Sequence, residues 1–494
     1  MLKTSGKHFV DKHGRHVILH GVNMVCKDSQ TGYIGNWNEQ DFRNLKKWGM
    51  NVVRFGVIWD GLEPNPGIYG DAYIEKLREL IQLANTYDLM IVLDMHQDLF
   101  SERFGDGAPA WATITDGETY EHGEVWSDAY LFNKAVQTSF DHFWHNTPGP
   151  TGMGIQDHYI QAWKHLVKKL HNEPNVIGYD MMNEPFIGRD VDQVTEAMFG
   201  TFAKLYEQYY GKIDIDQLFA SWHEPEQKHE FLSFLNDLNI FKQIVDAPTP
   251  ILQPFEANIL SQFFQNIATE IRKIDKHGIL FLETNYFSNL GTESMIQPLK
   301  DDNGRQDKQQ AYAPHAYDIV TDTELDKLAS HDRLSFIFER HEKTRERLKI
   351  PMLIGEWGAY YNSDDTGHVS LYIQRLMERL LCSDTYWDYT PNMHESTSFY
   401  GIHRGYPMTV AGDLLYYHYE RAVETFHMKW IEKEGNDKPT IVYLPNINQL
   451  KDKDVTLHPI GSTYSVHEIE DSQAGFIKIP SIAHSHRSLV VICK

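Results

Sequence analysis

Short apolar runs, each followed by a stretch with helical rhythm, recur through about the first 405 residues. The runs are HVILHGVNM, NVVRFGVIW, LMIVLDMHQD, VIGYDMMNEP, GILFLETN, QAYAPHAYD, PMLIGEWGA and SDTYWDYTPN, eight in all. Their middles are apolar without clean alternation, the pattern of parallel strands covered on both faces. Between them, amphipathic stretches put apolar residues on one helical face: Ile74, Leu77, Ile81 and Ala84 in DAYIEKLRELIQLANTYD, with similar spacing in NEQDFRNLKKWGM, LDKLASHDRLSFIFERHEKTRERLK and HVSLYIQRLMERLLC. Eight strand signals alternating with helices predict an α/β fold, a (β/α)8 TIM barrel over residues 1–407. An open doubly wound sheet would normally carry a glycine-rich phosphate turn after its first strand, and none follows HVILHGVNM.

Two connections far exceed the usual ~2–6 residues. One runs from Leu99 to about His145 and contains GAPAWA; the other runs from about Gly188 to Glu270 and contains FLSFLNDLNIFKQIV. Such excursions form lids or substrate walls, or else a peripheral helical pair. After Pro407 the helical rhythm fades, and LLYYHYERAVETFHMKWI, PTIVYLP, STYSVHEI and SLVVICK alternate with turn residues. Residues 408–494 therefore read as a small antiparallel β-sandwich, packed closely on the barrel because no Gly-, Ser- or Pro-rich linker intervenes.

A length of 494 residues suits one large domain and a smaller one, and 41% hydrophobic with 23% charged residues is ordinary for a soluble protein. Aromatics reach 13%, which suits sugar platforms and large barrel cores alike. The net charge of −23 would repel nucleic acid, anionic membranes and polyanionic substrates. Cys26, Cys382 and Cys493 form neither a disulfide framework nor a zinc spacing. A metal-dependent barrel hydrolase would show His-x-His after its first strand, where only His20 stands, so neither metal nor cofactor is expected. The N-terminal MLKTSGKHFVDKHGRH has no apolar leader core, and no run approaches the ~18 apolar residues of a membrane span. These features predict a cytoplasmic protein, or a secreted one if a leader has been removed.

Polar residues gather at the C-terminal ends of the runs: Arg54, His96, Asn183, Glu184, His315, Tyr317, Glu356 and Trp387. In a barrel those ends open onto one face, where barrel enzymes carry their chemistry. Arg, His and Glu seldom lie within strands unless paired. Hydrolysis of a glycoside needs one carboxyl group to protonate the leaving oxygen and another to meet the oxocarbenium-like centre. Glu184 in MMNEPF is the candidate acid/base and Glu356 in IGEWGA the candidate nucleophile. Strands four and seven stand nearly opposite around an eight-stranded ring, so a retaining separation of ~5–5.5 Å is within reach. Asn183 is suited to the sugar 2-hydroxyl, Arg54 and Tyr317 to holding Glu356 ionised, His96 and His315 to substrate hydroxyls or the acid, and Trp387 to the floor under the sugar.

Taken in order, these eight residues resemble the catalytic set of glycoside hydrolase family 5, a family of (β/α)8 retaining hydrolases. LDMHQDLFS, GDGAPAWA, YDMMNEPF and RGYPMTVAG, followed by a β-rich tail, are similar more narrowly to its endoglycoceramidases. Those enzymes release the intact glycan from glycosphingolipids and carry a C-terminal β-sandwich. The resemblance implies a glycolipid or other β-glycoside substrate, and sugar contacts for Lys27 and for Asp98, which shares a strand face with His96 two residues earlier. Relatives in the same group cleave glucosylceramide or steryl glucosides, which is the alternative reading. An endo-glucanase or mannanase of the family would want an open cleft lined by Trp. A catalytically silent binding protein would have lost a carboxylate, and both are present. A lipid substrate needs an apolar groove beside the pair, and the Leu/Phe-rich excursion around 188–270 is the segment expected to supply it. Nothing in the chain is basic or amphipathic enough to require contact with a lipid surface.

Overall fold

Eight parallel strands close into a barrel: β1 (His20–Met24), β2 (Val52–Ile58), β3 (Met90–His96), β4 (Val176–Asp180), β5 (Ile279–Leu282), β6 (Gln310–Tyr312), β7 (Leu353–Ile354) and β8 (Ser383–Tyr386). The computed structural model describes residues 2–493 apart from 124, 214–217, 219–224, 361–364, 449 and 452–453. Hydrogen-bonded order runs β7-β8-β1-β2-β3-β4-β5-β6, and a parallel bridge between Tyr312 and Met352 joins the two ends. Every residue of β1, β2 and β5 is buried, as expected of strands with packed side chains inside and helices outside.

The barrel interior is layered by the two-residue period of its strands. Val52, Val92, Ile279, Ala311 and Leu353 form an apolar plug toward the N-terminal end. One layer higher the inward positions turn charged, with Arg54 two residues after Val52 and Asp94 two after Val92. Past the closing bridge, strands six and seven continue as a short parallel pair, His315–Ala316 with Glu356–Trp357. That register sets His315 directly beside Glu356.

The run HVILHGVNM divides between two sheets. Only its second half enters the barrel as β1; His16–Val17 pairs antiparallel with Tyr406–Val410. Together with the hairpin Lys3–Ser5 and His8–Val10, it forms one side of a seven-stranded sheet that ends in Thr440–Leu444, Gly475–Ile479 and Ser465–Glu468. The division falls at Ile18 and Leu19. Ile18 packs in the core between this sheet and a four-stranded one, while Leu19 joins the barrel plug. The second sheet comprises Gly412–Glu420, Thr425–Glu432, His486–Ile492 and Val455–His458. Tyr406, Phe426, Trp430, Val442, Ile477 and Leu489 fill the space between the sheets.

Barrel and sandwich are tied by buried polar contacts. The Tyr406 hydroxyl donates to the Gly49 carbonyl at 2.6 Å, and that of Tyr443 to the Lys47 carbonyl at 2.7 Å. Asp384 of β8 accepts from His20 at 3.0 Å, Arg404 at 2.6 Å and the Trp357 indole at 3.1 Å. Against the opposing effect of burial, Arg404 and His20 hold the Asp384 carboxyl at about 2.

The excursion after β3 contributes the helices Asp128–Phe132 and Lys134–Trp144. The excursion after β4 contributes α1 (Val191–Tyr210) and α2 (Leu238–Asp246), with Pro225–Phe234 between them; its parts at 214–217 and 219–224 lie outside the described residues. No helix among the described residues is long and apolar enough to cross a membrane.

Candidate active site

Glu184 follows β4 and Glu356 stands in the extension of β7, so both carboxyl groups point into the C-terminal mouth. One oxygen of each lies within 4.8 Å of the other and of a His315 ring nitrogen. Oε1 of Glu356 accepts from Arg54 Nη1 at 2.7 Å, and Oε2 accepts from the Tyr317 hydroxyl at 2.8 Å. Oε1 of Glu184 accepts from Asn289 Nδ2 at 2.6 Å and from His315 Nδ1 at 2.9 Å. Glu184 adopts φ 42°, a left-handed conformation that costs a non-glycine residue on the order of 1–3 kcal/mol and survives only where its surroundings impose it.

Below the pair, one guanidinium organises the charged layer. Arg54 is fully buried and meets Asp94 and Asp180 at 2.9 Å and Glu283 and Glu356 at 2.7 Å. It also donates to Asn23 Oδ1 at 3.1 Å and Asn183 Oδ1 at 2.9 Å, a partner set that only a five-donor planar fork satisfies. One cation among four carboxylates leaves excess negative charge in a dry site. Burial, reinforced by Glu283, pushes Asp180 well above the usual carboxylate range. Burial also pushes the Glu356 carboxyl up to about 7, against the pull of His315 and Arg54 and with the push of Glu184. Burial opposes a charged His315, yet Glu283 and Glu356 raise its imidazole well above its ordinary value, so it faces the carboxylates as a cation.

Beside the pair, β3 and the end of β8 bring an indole and an imidazole together. The Trp387 ring stacks on His96, centroids 5.1 Å apart at 14°, and the Lys27 ammonium lies 4.5 Å from the Trp387 ring centroid. His96 Nδ1 donates to Asp94 at 2.8 Å, and Lys27 pairs with Asp98. Asp106 is buried next to Asp98, and burial and that neighbour push its carboxyl up to about 7.

A cavity of about 560 Å³ opens over these groups. At one end Lys27, His96, Asp98, Glu184, Tyr317, Glu356 and Trp387 line it. At the other end the walls are apolar: Leu131 and Phe132 from the first excursion, Met198, Phe199 and Phe202 from α1, and Phe241, Ile244 and Val245 from α2. The 188–270 excursion thus supplies much of the apolar wall.

Of the ten residues singled out from sequence, seven line the cavity, while Arg54, Asn183 and His315 stand behind them. Asn183 uses its Oδ1 on Arg54 and one Nδ2 hydrogen on the Gln97 carbonyl, at 3.1 Å. Sequence reasoning passed over Asp94, Asp180 and Glu283, although a carboxylate inside an apolar run implies a buried partner. It also passed over Asn289, in the 3-10 turn Tyr286–Leu290, and Trp126 and Asp322, on loops, none of which carries a periodic signal. The Trp126 indole donates to Asp322 at 3.3 Å, and both line the cavity.

A (β/α)8 barrel whose mouth holds two buried, facing carboxylates beside an indole ring has the architecture of a glycoside hydrolase. Residues 10–393 match the sequence profile described as cellulase, glycosyl hydrolase family 5, and residues 404–491 match the family's C-terminal domain. The chain belongs to glycosyl hydrolase family 5. It is 31% identical over 208 residues to the endoglycoceramidase of Hydra vulgaris, an alignment covering 36% of this chain and 39% of that protein. It is 28% identical over 265 residues to the glucosylceramidase of Rhizopus delemar, covering 40% of this chain and 38% of that one. The chain therefore spans less than half the length of these relatives in alignment. In three dimensions it matches endo-glycoceramidase II from Rhodococcus sp., in its ganglioside GM3 complex, with a TM-score of 0.75 at 21% identity, over 99% of this chain and 100% of that one.

Proposed function

We propose that the protein cleaves the β-glycosidic bond between glycan and lipid in glycosphingolipids, with retention of configuration. The observation that carries this reading is a single cavity joining a facing carboxylate pair to an apolar arm. Oxygens within 4.8 Å of each other fit the short separation of a double displacement better than the ~6.5–9.5 Å that leaves room for a water in inverting enzymes. The similarity to an endoglycoceramidase supports the glycan–lipid bond as the one cut.

In this mechanism the sugar lies on Trp387 with its anomeric carbon facing Glu356. Glu184 protonates the leaving oxygen while Glu356 attacks, and the sugar becomes an ester of Glu356. Esterification removes the Glu356 charge, so Glu184 can then hold a proton taken from water. Arg54 and Tyr317, both donating to Glu356, favour the ionised form that attack requires. Because burial pushes the Glu356 carboxyl up to about 7, kcat/KM is expected to fall about tenfold per pH unit below that value, as the nucleophile gains a proton. A rate profile flat from pH 7 down to pH 5 would contradict this assignment.

The apolar arm is expected to receive the hydrocarbon chains of the aglycone. Changing Phe199 in the arm to Asp is expected to lower kcat/KM on a ceramide-linked glycoside by at least about tenfold, the loss of roughly 1.4 kcal/mol of apolar contact. Hydrolysis of an aryl β-glycoside, which has no chain to bury, is expected to change less than about twofold by the same reasoning. A panel of glucosylceramide, lactosylceramide, a ganglioside, a steryl glucoside and carboxymethylcellulose tests the reading directly. Intact oligosaccharide released from the ganglioside is the expected result. Glucose released from the single-sugar lipids alone would favour the second reading, a glucosylceramide or steryl β-glucosidase, which the similarity to a fungal glucosylceramidase keeps in view. Activity on cellulose alone would remove the lipid reading altogether.

A further inference from the structure

The strained backbone of Glu184 needs a restraint, and the restraint on its amide is a carboxylate. The Glu184 N–H donates to Oε2 of Glu283 at 2.7 Å, while Oε1 of Glu283 accepts from Arg54 Nη2, also at 2.7 Å. The other end of the same guanidinium holds Glu356 at 2.7 Å. Glu283 follows β5 directly, on the strand next to β4, and its side chain is buried. Its Oε1 also stands 3.3 Å from Nε2 of His315, the imidazole whose Nδ1 faces Glu184 at 2.9 Å and Glu356 at 3.4 Å.

We propose that Glu283 is the positioning residue of this active site, fixing the backbone of the acid/base, the arginine of the nucleophile and the imidazole between them. The inference rests on the two-carboxylate reading above. Glu283 lies behind the cavity wall and does not touch substrate, so it acts through its three neighbours. A carboxylate is suited to this place because each neighbour presents a donor. An amide in its stead would turn an N–H₂ toward one of them and would withdraw the negative charge. A backbone at φ 42° that loses its amide partner relaxes toward a commoner conformation, carrying the Glu184 carboxyl away from the glycosidic oxygen.

The charged and titratable groups facing this cluster are Arg54 from β2, Asp94 and His96 from β3, Tyr159, Asp180 from β4, Glu184, His315, Tyr317 and Glu356. All of them feel the Glu283 charge in a dry site, so withdrawing it favours the deprotonated form of every acid among them, His315 included. A side chain that merely filled space would leave those equilibria where they were.

The test is E283Q beside E283D, assayed on an aryl β-glycoside across pH, with folding followed by circular dichroism and thermal melts. E283Q is expected to lose about 10²-fold in kcat with KM within about threefold, as for a group that aligns the reacting atoms without binding substrate. Its alkaline limb is expected to move down by about one pH unit relative to the wild type, as deprotonation becomes easier. E283D keeps the charge on a shorter stem, so its alkaline limb should stay at the wild-type position while kcat falls about tenfold. A folded E283Q whose pH profile superposes on the wild type, or whose kcat lies within threefold of it, would overturn the proposal. If E283Q does not fold, E283D decides: a reduced kcat with an unmoved limb supports the proposal, and wild-type turnover refutes it. Wild-type protein inactive on every β-glycoside would instead count against the glycosidase reading, and E356Q run alongside tells the two failures apart.

Discussion

Changing Glu356 to Gln is expected to reduce kcat by about 10⁴-fold or more, some 5 kcal/mol of transition-state stabilisation, while substrate affinity stays within about threefold. The amide has nearly the shape of the carboxylate, and its carbonyl can keep the hydrogen bond from Arg54 Nη1. Its N–H₂ then meets the Tyr317 hydroxyl, which can turn and accept where it formerly donated. What disappears is the anion that forms the ester. The same change should leave the protein at least as stable at neutral pH. A carboxyl that folding pushes up to about 7 binds its proton more tightly in the folded chain than in the unfolded one, so its contribution turns unfavourable as pH rises from the ordinary carboxylate value toward 7. The glutamine removes that contribution. Single-turnover rates, calorimetric affinity for an intact glycolipid and thermal melts at pH 5 and pH 7.5 make the check; turnover near the wild-type rate would strike Glu356 from the mechanism.

The largest effect on stability is expected at Arg54. Exchange for Met leaves Asp94, Asp180, Glu283 and Glu356 buried without their common cation. Losing one partner of a single buried pair costs about 3–5 kcal/mol, and here one side chain serves four acids, so a loss at or above that range is expected. The deficit should narrow on acidification. Asp180, already pushed up by burial and Glu283, would bind its proton still more tightly without the guanidinium, so the variant gains stability relative to the wild type as pH falls toward 5. Lys at this position restores charge but not the fork, and should recover little of the loss because one ammonium cannot reach six acceptors. Urea denaturation at pH 5 and pH 7.5 measures both the size and the slope. A small deficit that does not vary with pH would mean that the charged layer is far wetter than its burial implies.

The barrel was legible because its eight strands are apolar runs, and each run contributes a strand to the closed sheet. Each residue singled out at a run's end stands at the mouth or just behind it, since the strand period and a common polarity direct side chains there. What escaped sequence reasoning did so for physical reasons. The ribbon Lys3–Ser5, His8–Val10 and His16–Val17 is made of strands of two or three residues, too short to show any period. HVILHGVNM reads as one strand because nothing in its polarity marks the step from Ile18 in one core to Leu19 in another. Asp94, Asp180 and Glu283 were on view, yet which carboxylates share one arginine depends on register around the ring, which polarity alone does not encode. Asn289 reaches the cavity from a short 3-10 turn and Asp322 from a loop, where position follows tertiary packing.

The antiparallel pairing of Val17 with Thr409 has a consequence for how the chain is made. The first strands of the seven-stranded sheet leave the ribosome about 390 residues ahead of their partner, an interval of roughly 20–80 seconds at ordinary translation speeds. Throughout that time the ribbon has no edge to join, while the barrel can already assemble behind it. Completion of the seven-stranded sheet therefore waits until the chain has been made past residue 409. Segments made far apart in time then meet and hold barrel and sandwich together like a clasp.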